Sequence, residues 1–241
     1  MNSLLEVKDL KKEYGKKPVV RQLSFDVKKE EVVGLLGPNG AGKTTAFYMT
    51  MGLIAPDSGQ VFFEGKNITD LPVHKRALLG MGYLAQEPSV FADLSVEDNI
   101  LCILETQGLS KSQMQIRLDE LLGELHLEKH RKKMAAVLSG GERRRLEITR
   151  ALITRPKLLL LDEPFANIDP ISVQDVKDLI RHLKKRGISV LITDHNAREI
   201  FSIVDRSFLI QEGRVLMSGT VDQLLASKEA RRVYFGENFR L

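Results

Sequence analysis

Between Gly37 and Thr44 the chain reads GPNGAGKT, a glycine-rich run that closes on a lysine and a threonine. Glycines 37, 40 and 42 let successive backbone N–H groups curl toward one point, and converging N–H groups hold anions. Lys43 can reach the β- and γ-phosphates of a nucleotide, and Thr44 offers a hydroxyl to Mg²⁺. Far downstream, Asp162 and Glu163 end the run LLLLDE. A carboxylate at the end of a buried strand is a metal ligand for a Mg²⁺-nucleotide, often through water, and a second one beside it can accept a proton from an attacking water. Adjacent strand residues point opposite ways, but a strand end can twist both toward one ligand. Together these residues spell Mg²⁺-dependent hydrolysis of a nucleoside triphosphate.

A second glycine turn stands in LSGGERRRLE, Leu138 to Glu147. Ser139 followed by Glu142 fits a capping box at the start of a helix. The capping reading does not require Gly140 and Gly141, which carry an entropy cost at a helix start. Close approach of another group to this backbone explains them better, and a helix N-terminus suits an anion.

These residues need a scaffold. EEVVGLLG before the first glycine run is a short buried strand, and KTTAFYMTMGLI after it has a helical pattern. SGQVFFEGKNI alternates and carries turn residues, as an antiparallel hairpin does. SKSQMQIRLDELLGELHLEKH sets Met114, Leu118, Leu121, Leu122 and Leu125 on one helical face, and GGERRRLEITRALITR makes a second helix. Strands return in KLLLLD, ISVLITD and DRSFLIQEG. Between the first two of these, Val173, Val176, Ile180 and Leu183 face inward along a helix that Gly187 stops. The expected fold is α/β: a P-loop (RecA-like) core, an antiparallel β portion near the N-terminus and an inserted helical part. One domain is expected over 1–241, with 1–87 and 158–241 forming the core and β portion and 88–157 the helical part.

The 241 residues carry 36 Lys and Arg against 32 Asp and Glu, a spread excess of +4 that points to no nucleic-acid partner. The single cysteine, Cys102, lies in the apolar run NILCIL; no disulfide can form within the chain, and a buried small hydrophobe is expected. The N-terminal stretch has no basic segment leading into a long apolar one, so no signal peptide is expected. No apolar run approaches the roughly 20 residues that span a bilayer, so any membrane role is expected to run through a partner rather than by insertion.

LSGGE between GPNGAGKT and LLLLDEP resembles the signature of ABC-transporter ATPase domains, whose commoner form is LSGGQ, and the resemblance covers essentially the whole chain. It implies a homodimer paired head to tail, in which the signature of one subunit covers the ATP held by the P-loop of the other. Two glycine turns in one chain would then serve opposite sides of one nucleotide. On this resemblance Gly37, Pro38, Asn39, Gly40, Ala41, Gly42, Lys43, Thr44 and Thr45 hold phosphates in cis, while Ser139, Gly140, Gly141 and Glu142 face the γ-phosphate in trans. Tyr14 matches the aromatic that stacks on adenine. Gln86 matches a glutamine that contacts Mg²⁺ or the attacking water, His195 the switch histidine, and Asp169 an aspartate at the dimer contact. Asp169 before Pro170 is also an N-cap followed by an N1 proline.

Within the family, DEPFANIDPISV, LITDHNARE and RRVYFGENFRL resemble the ATPases of lipopolysaccharide exporters. That implies a subunit peripheral to the cytoplasmic face of the inner membrane, docked on integral membrane subunits of the LptF/LptG kind. ATPases of branched-chain amino-acid importers and soluble ABC ATPases of the Fe–S assembly type are the alternatives. Asn167 stands where a glycine is expected; Asn tolerates φ > 0, so the turn can survive. Phe91, in the loop after Gln86, is either tucked into the core or lines a groove for a helix of the membrane subunit, with Leu94 and the basic stretch HRKKM as its rim. The family's architecture favours the groove.

Overall fold

The computed structural model describes residues 3–166 and 168–236. Asn167 and the last five residues of the chain, part of RRVYFGENFRL, lie outside the described residues.

Two long strands open the chain, β1 (Ser3–Tyr14) and β2 (Lys17–Lys28), joined by a tight hairpin. Then come β3 (Val32–Leu36), α1 (Lys43–Met51), the hairpin β4 (Ser58–Phe63) and β5 (Lys66–Asn67), α2 (Val73–Leu78) and β6 (Met81–Leu84). Three helices follow, α3 (Val96–Leu104), α4 (Lys111–Glu124) and α5 (Gly140–Leu152). The chain returns through β7 (Leu158–Asp162), α6 (Pro170–Lys185), β8 (Ser189–Thr193), α7 (Ala197–Phe201), β9 (Arg206–Gln211), β10 (Arg214–Gly219) and α8 (Val221–Ala226).

One sheet runs in the order β5-β4-β1-β2-β10-β9-β3-β8-β7-β6. Its β5-β4-β1-β2 part is antiparallel and its β9-β3-β8-β7-β6 part parallel. β10 pairs antiparallel with β9 and touches β2 through Arg214 and Gln22. Although α3, α4 and α5 separate β6 from β7 in sequence, these strands lie side by side, Met81 opposite Leu158. Strands β3, β7 and β8 are buried at every residue, as a parallel sheet covered on both faces requires. Alternation sends Leu159 and Leu161 into the core beneath α3 to α6, and Leu158 and Leu160 into the core with α1, β1 and β2.

α6 shows how the sequence sets an element. Asp169 Oδ1 accepts from the N–H groups of Ile171 and Ser172, both at 3.0 Å, and Pro170 fills the first position. Val176, Leu179, Ile180 and Leu183 bury one face, about 1.5–3 kcal/mol each. Gly187 follows the helix with φ +81°, as its stop. α1 is shorter than its pattern suggests, because left-handed Gly52 closes it after Met51. Cys102 is only half-buried, donating to Asn99 O at 3.3 Å from the outer side of α3. No helix among the described residues is long and apolar enough to cross a membrane.

Candidate active site

The strand β3 ends at Leu36 and the glycine run turns the chain into α1. Gly40 and Gly42 have φ of +78° and +100°, which a side-chain-bearing residue adopts only under strain. At Gly42 a Cβ would also meet Val19 O of β2 at 2.8 Å. The loop is pinned by its own turn, Ala41 N to Pro38 O at 3.2 Å, and by Gly213 N donating to Ala41 O at 3.0 Å. Helix α1 has no side-chain cap and no acidic residue in its first turn. Its N-terminal N–H groups and dipole therefore face outward for an anion. Pro38, Asn39, Gly40 and Thr44 are exposed and Thr45 is half-buried. Lys43 is buried, its Nζ donating to Gly37 O at 2.7 Å and Pro38 O at 3.1 Å. Burial lowers its pKa, opposed by the carboxylates of Glu163, Asp162 and Asp194.

Strand β7 delivers Asp162 as its last residue, 1% exposed. Asp162 Oδ1 accepts from the Thr193 hydroxyl at 2.6 Å, while Oδ2 has no hydrogen-bond partner. Burial pushes this carboxyl above its usual range, against the Thr193 bond and the nearby Tyr83 hydroxyl. Such a strong acceptor left unpaired beside the P-loop fits a hydrated divalent cation. Among the described residues no cluster of three acidic, His or Cys groups could hold a metal alone, so the cation would take its other ligands from phosphates, Thr44, Gln86 and water. The twist needed at the strand end comes from the backbone: Glu163 sits at φ +46° and donates its N–H to Thr193 O at 2.8 Å. That left-handed turn costs of the order of 1–3 kcal/mol and sits where chemistry is expected.

The Glu163 carboxylate gathers the other predicted residues. Gln86 Nε2 donates to its Oε2 at 2.9 Å, and His195 Nδ1 lies 3.5 Å from the same oxygen. His195 Nδ1 is equally 3.5 Å from Asp194 Oδ1, and its side chain is 60% exposed. Tyr14 is exposed at the tip of the β1–β2 hairpin, opposite Lys17; Val19, two residues on, touches Gly42, so the hairpin tip flanks the P-loop.

The signature turn is built as its capping box demands. Ser139 Oγ accepts from Glu142 N at 3.2 Å, and Glu142 Oε2 accepts from Ser139 N at 2.8 Å. Among the described residues, no hydrogen bond or ion pair links this turn to the P-loop. Gly141 has a reason inside the chain that the sequence reading missed: a Cβ there would lie 2.3 Å from Ser172 Oγ on α6. Its small size is required by helix packing, so the double glycine is not by itself a mark of an approaching ligand.

Phe91 is 51% exposed and is not core. The Arg150 guanidinium lies over its ring at 4.7 Å. Its backbone is fixed by the buried Asn99 side chain, which accepts from Phe91 N and donates to Phe91 O, both at 2.9 Å. Leu94 is half-buried nearby, and Met134 is exposed. The basic stretch is largely engaged already: Arg131 and Lys132 pair with Glu97, Arg131 also with Asp119.

Three sets of residues escaped the sequence reading. Asp194, 1% exposed, accepts from Asn196 N at 2.9 Å and Phe165 N at 3.2 Å, tying the end of β8 to the turn after Glu163. Arg144 and Glu147 on α5 form a buried pair at 2.9 Å. Arg144 also donates to Ala85 O at 3.1 Å and Asp162 O at 3.3 Å, and Glu147 accepts from Ser89 N at 3.0 Å. In sequence such i,i+3 charges read as a solvated face. Tyr234, near the end of the described chain, donates to His195 O at 3.3 Å, and burial pushes its hydroxyl up to about 12.

A glycine cradle at the head of α1, paired carboxylates at the end of β7 and a helix-capping signature turn on one α/β sheet define a nucleoside-triphosphatase of the P-loop class. The family model described as ABC transporter matches residues 20–166. The lipopolysaccharide export system ATP-binding protein LptB of Acidithiobacillus ferridurans is 52% identical over 241 residues, all of both chains. LptB of Escherichia coli K12 is 48% identical over 98% of this chain and 99% of its own. A crystal structure of the ADP conformation of an ATP-binding cassette of an ABC transporter superposes with a TM-score of 0.88 at 26% identity, covering 98% of this chain and 100% of its own. The chain belongs to the ABC transporter family, as one of its ATP-hydrolysing members.

Proposed function

We propose that this protein is the ATPase subunit of a lipopolysaccharide exporter, working as a head-to-tail homodimer on the cytoplasmic face of the inner membrane, peripheral to it and docked on integral membrane subunits of the LptF/LptG kind. The observation that carries the ATPase reading is the meeting of Gln86, Glu163 and His195 at one carboxylate oxygen. Full-length identity of 52% to a named exporter subunit supports the cargo. Gly37 to Thr45 cradle the triphosphate, with Lys43 leaving its loop carbonyls for the β- and γ-phosphates. Tyr14 stacks on the adenine. Thr44, Asp162 and Gln86 would hold Mg²⁺, which when bound would supply positive charge to the phosphate oxygens. Glu163, held by Gln86, accepts the proton of the attacking water, and His195 takes position at the γ-phosphate. Ser139, Gly140, Gly141 and Glu142 face the nucleotide of the second subunit, with Asp169 at the same dimer contact. Ser139 can serve as cap and phosphate donor together, since its hydroxyl accepts from Glu142 N and keeps its own proton free. Phe91 anchors a short helix of the membrane subunit on the exposed side of Arg150.

Native co-purification tests the cargo. Capture of integral membrane proteins with extracytoplasmic β-jellyroll parts supports export; an Fe–S scaffold or the permease of an amino-acid importer as the stoichiometric partner refutes it.

A further inference from the structure

Glu142 poses an electrostatic problem. It is the third residue of α5, and on the reading above the N-terminus of that helix meets a triphosphate in the partner subunit. Glutamine, the commoner residue in the signature, is neutral; a carboxylate here sets a like charge beside the γ-phosphate. Its hydrogen bond from Ser139 N holds the side chain ionised, well below the usual carboxylate range. The structure supplies a counterweight. Glu142 Oε1, the oxygen not used in capping, stands 3.1 Å from His130 Nε2. His130 comes from the tight turn Glu128–His130 after α4, and Lys133, whose N–H bonds to His130 O at 2.8 Å, adds positive charge toward the same carboxylate. The two side chains are 17% and 21% exposed, so solvent screens their interaction only partly.

We propose that His130 is a positioning residue of the signature turn: it takes up the second oxygen of Glu142 and fixes where that charge lies, leaving Ser139 and the helix N-terminus able to receive the phosphate of the partner's nucleotide. The inference rests on the reading that the signature acts in trans. Lys133 supplies positive charge toward this carboxylate, while the short imidazole fixes the direction of the carboxylate plane.

A double-mutant cycle in the full-length Glu163→Gln chain tests it. His130→Ala and Glu142→Gln are made singly and together. Two quantities are read: the ATP concentration for half-maximal dimerisation, and ATP affinity at chain concentrations too dilute to pair. His130→Ala is expected to raise the ATP needed for pairing about five- to tenfold, the loss of one charge-assisted contact. In the Glu142→Gln background the same substitution shifts it less than about twofold, because the carboxylate that the imidazole holds in place is gone. His130→Gln, whose amide can donate toward the same oxygen, recovers most of the loss. ATP affinity of the unpaired chain stays unchanged throughout, since His130 touches none of the P-loop side. Equal shifts in both backgrounds, no shift in either, or a melting temperature lowered equally in both would overturn the assignment and leave His130 a packing residue. A Glu163→Gln parent that stays monomeric at saturating ATP refutes the paired-site reading itself, and this role of His130 with it; a parent that pairs while His130→Ala is silent refutes His130 alone.

Discussion

Thr193→Val separates the metal-site reading of Asp162 from a purely structural one. The substitution keeps shape and removes the hydroxyl that donates to Asp162 Oδ1 at 2.6 Å. Asp162 Oδ2 already has no well-aligned partner, so the variant leaves this buried carboxylate with the nearby Tyr83 hydroxyl as its remaining side-chain donor. Hydrogen bonds to charged groups contribute about 1.5–3 kcal/mol, so roughly 2 kcal/mol of stability should go. For a chain of this size that lowers the melting temperature by roughly 4–8 °C. Thr193→Ser keeps the hydroxyl and loses one methyl, about 0.8 kcal/mol, so it should fall less than half as far. Saturating Mg²⁺-ATP should shrink the gap between Thr193→Val and the parent, because a cation at Oδ2 supplies the partner that the carboxylate lacks. The pH dependence has a definite sign. Burial raises the Asp162 pKa in the folded chain. From the ordinary carboxylate range up to that raised value, the folded chain holds a proton the unfolded chain has released, and stability falls as pH rises. Removing the bond to the ionised form widens this window, so the deficit of Thr193→Val grows as pH rises through it. Calorimetry of the three proteins, with and without Mg²⁺-ATP, reads all of this. A Thr193→Val melt within about 1 °C of the parent, a Thr193→Ser drop as large as the valine one, or a deficit independent of pH refutes the reasoning.

Glu163→Gln should retain ATP binding, lower hydrolysis about 10²–10⁴-fold and accumulate an ATP-bound dimer; turnover at the parent rate would remove Glu163 from the role of base. Mixing a Lys43→Ala chain with a Ser139→Ala chain should restore activity above either alone, because a mixed dimer holds one site with both defects and one with neither; mixed dimers without recovery exclude action in trans. Phe91→Ala should leave the melting temperature of the isolated protein within about 2 °C of the parent, since half of the ring is exposed. The same variant should lose co-purification with the membrane subunits, and unchanged co-purification would return Phe91 to the status of an ordinary surface residue.

The P-loop was legible because its function is carried by composition: three glycines and a lysine at fixed spacing dictate both conformation and chemistry. The strands β3, β7 and β8 were legible because burial on both faces leaves unbroken apolar runs. The long strands β1 and β2 were not read as a pair, because KDLKKEYGKK alternates irregularly and their register shifts at several points. The turn that aims Glu163 is invisible in sequence, because glutamate carries no signal for φ > 0; the sheet next to it, through Thr193 O, imposes the conformation. Gly141 was legible as a place of close approach, but one atom it must avoid, Ser172 Oγ, comes from a helix 31 residues away and is not announced by the sequence. Arg144 and Glu147 stayed hidden because burial is a tertiary property that a charge pair at helical spacing does not announce.

That buried pair bears on how hydrolysis reaches a partner. The loop leaving β6 is gripped on both sides of Gln86 by one helix: Arg144 takes Ala85 O before it, Glu147 takes Ser89 N after it, and Arg150 bonds Ser89 O and covers the Phe91 ring. The same Arg144 reaches Asp162 O at the end of β7. These ties are several and, apart from Arg150 to Ser89 O, wholly or partly buried, each a hydrogen bond to a charged group worth about 1.5–3 kcal/mol, so they hold together. The tie between Gln86 and Glu163, in contrast, is one exposed hydrogen bond of 2.9 Å, worth about 1.5–3 kcal/mol at most. A change at the Glu163 carboxylate therefore breaks or remakes the Gln86 contact first and leaves the α5 grip intact. The weak link lies at the nucleotide and the stiff one between α5 and the loop. A displacement at Gln86 then moves the loop, α5 and Phe91 as one body, and the same body begins at Ser139, the residue proposed to meet the second subunit.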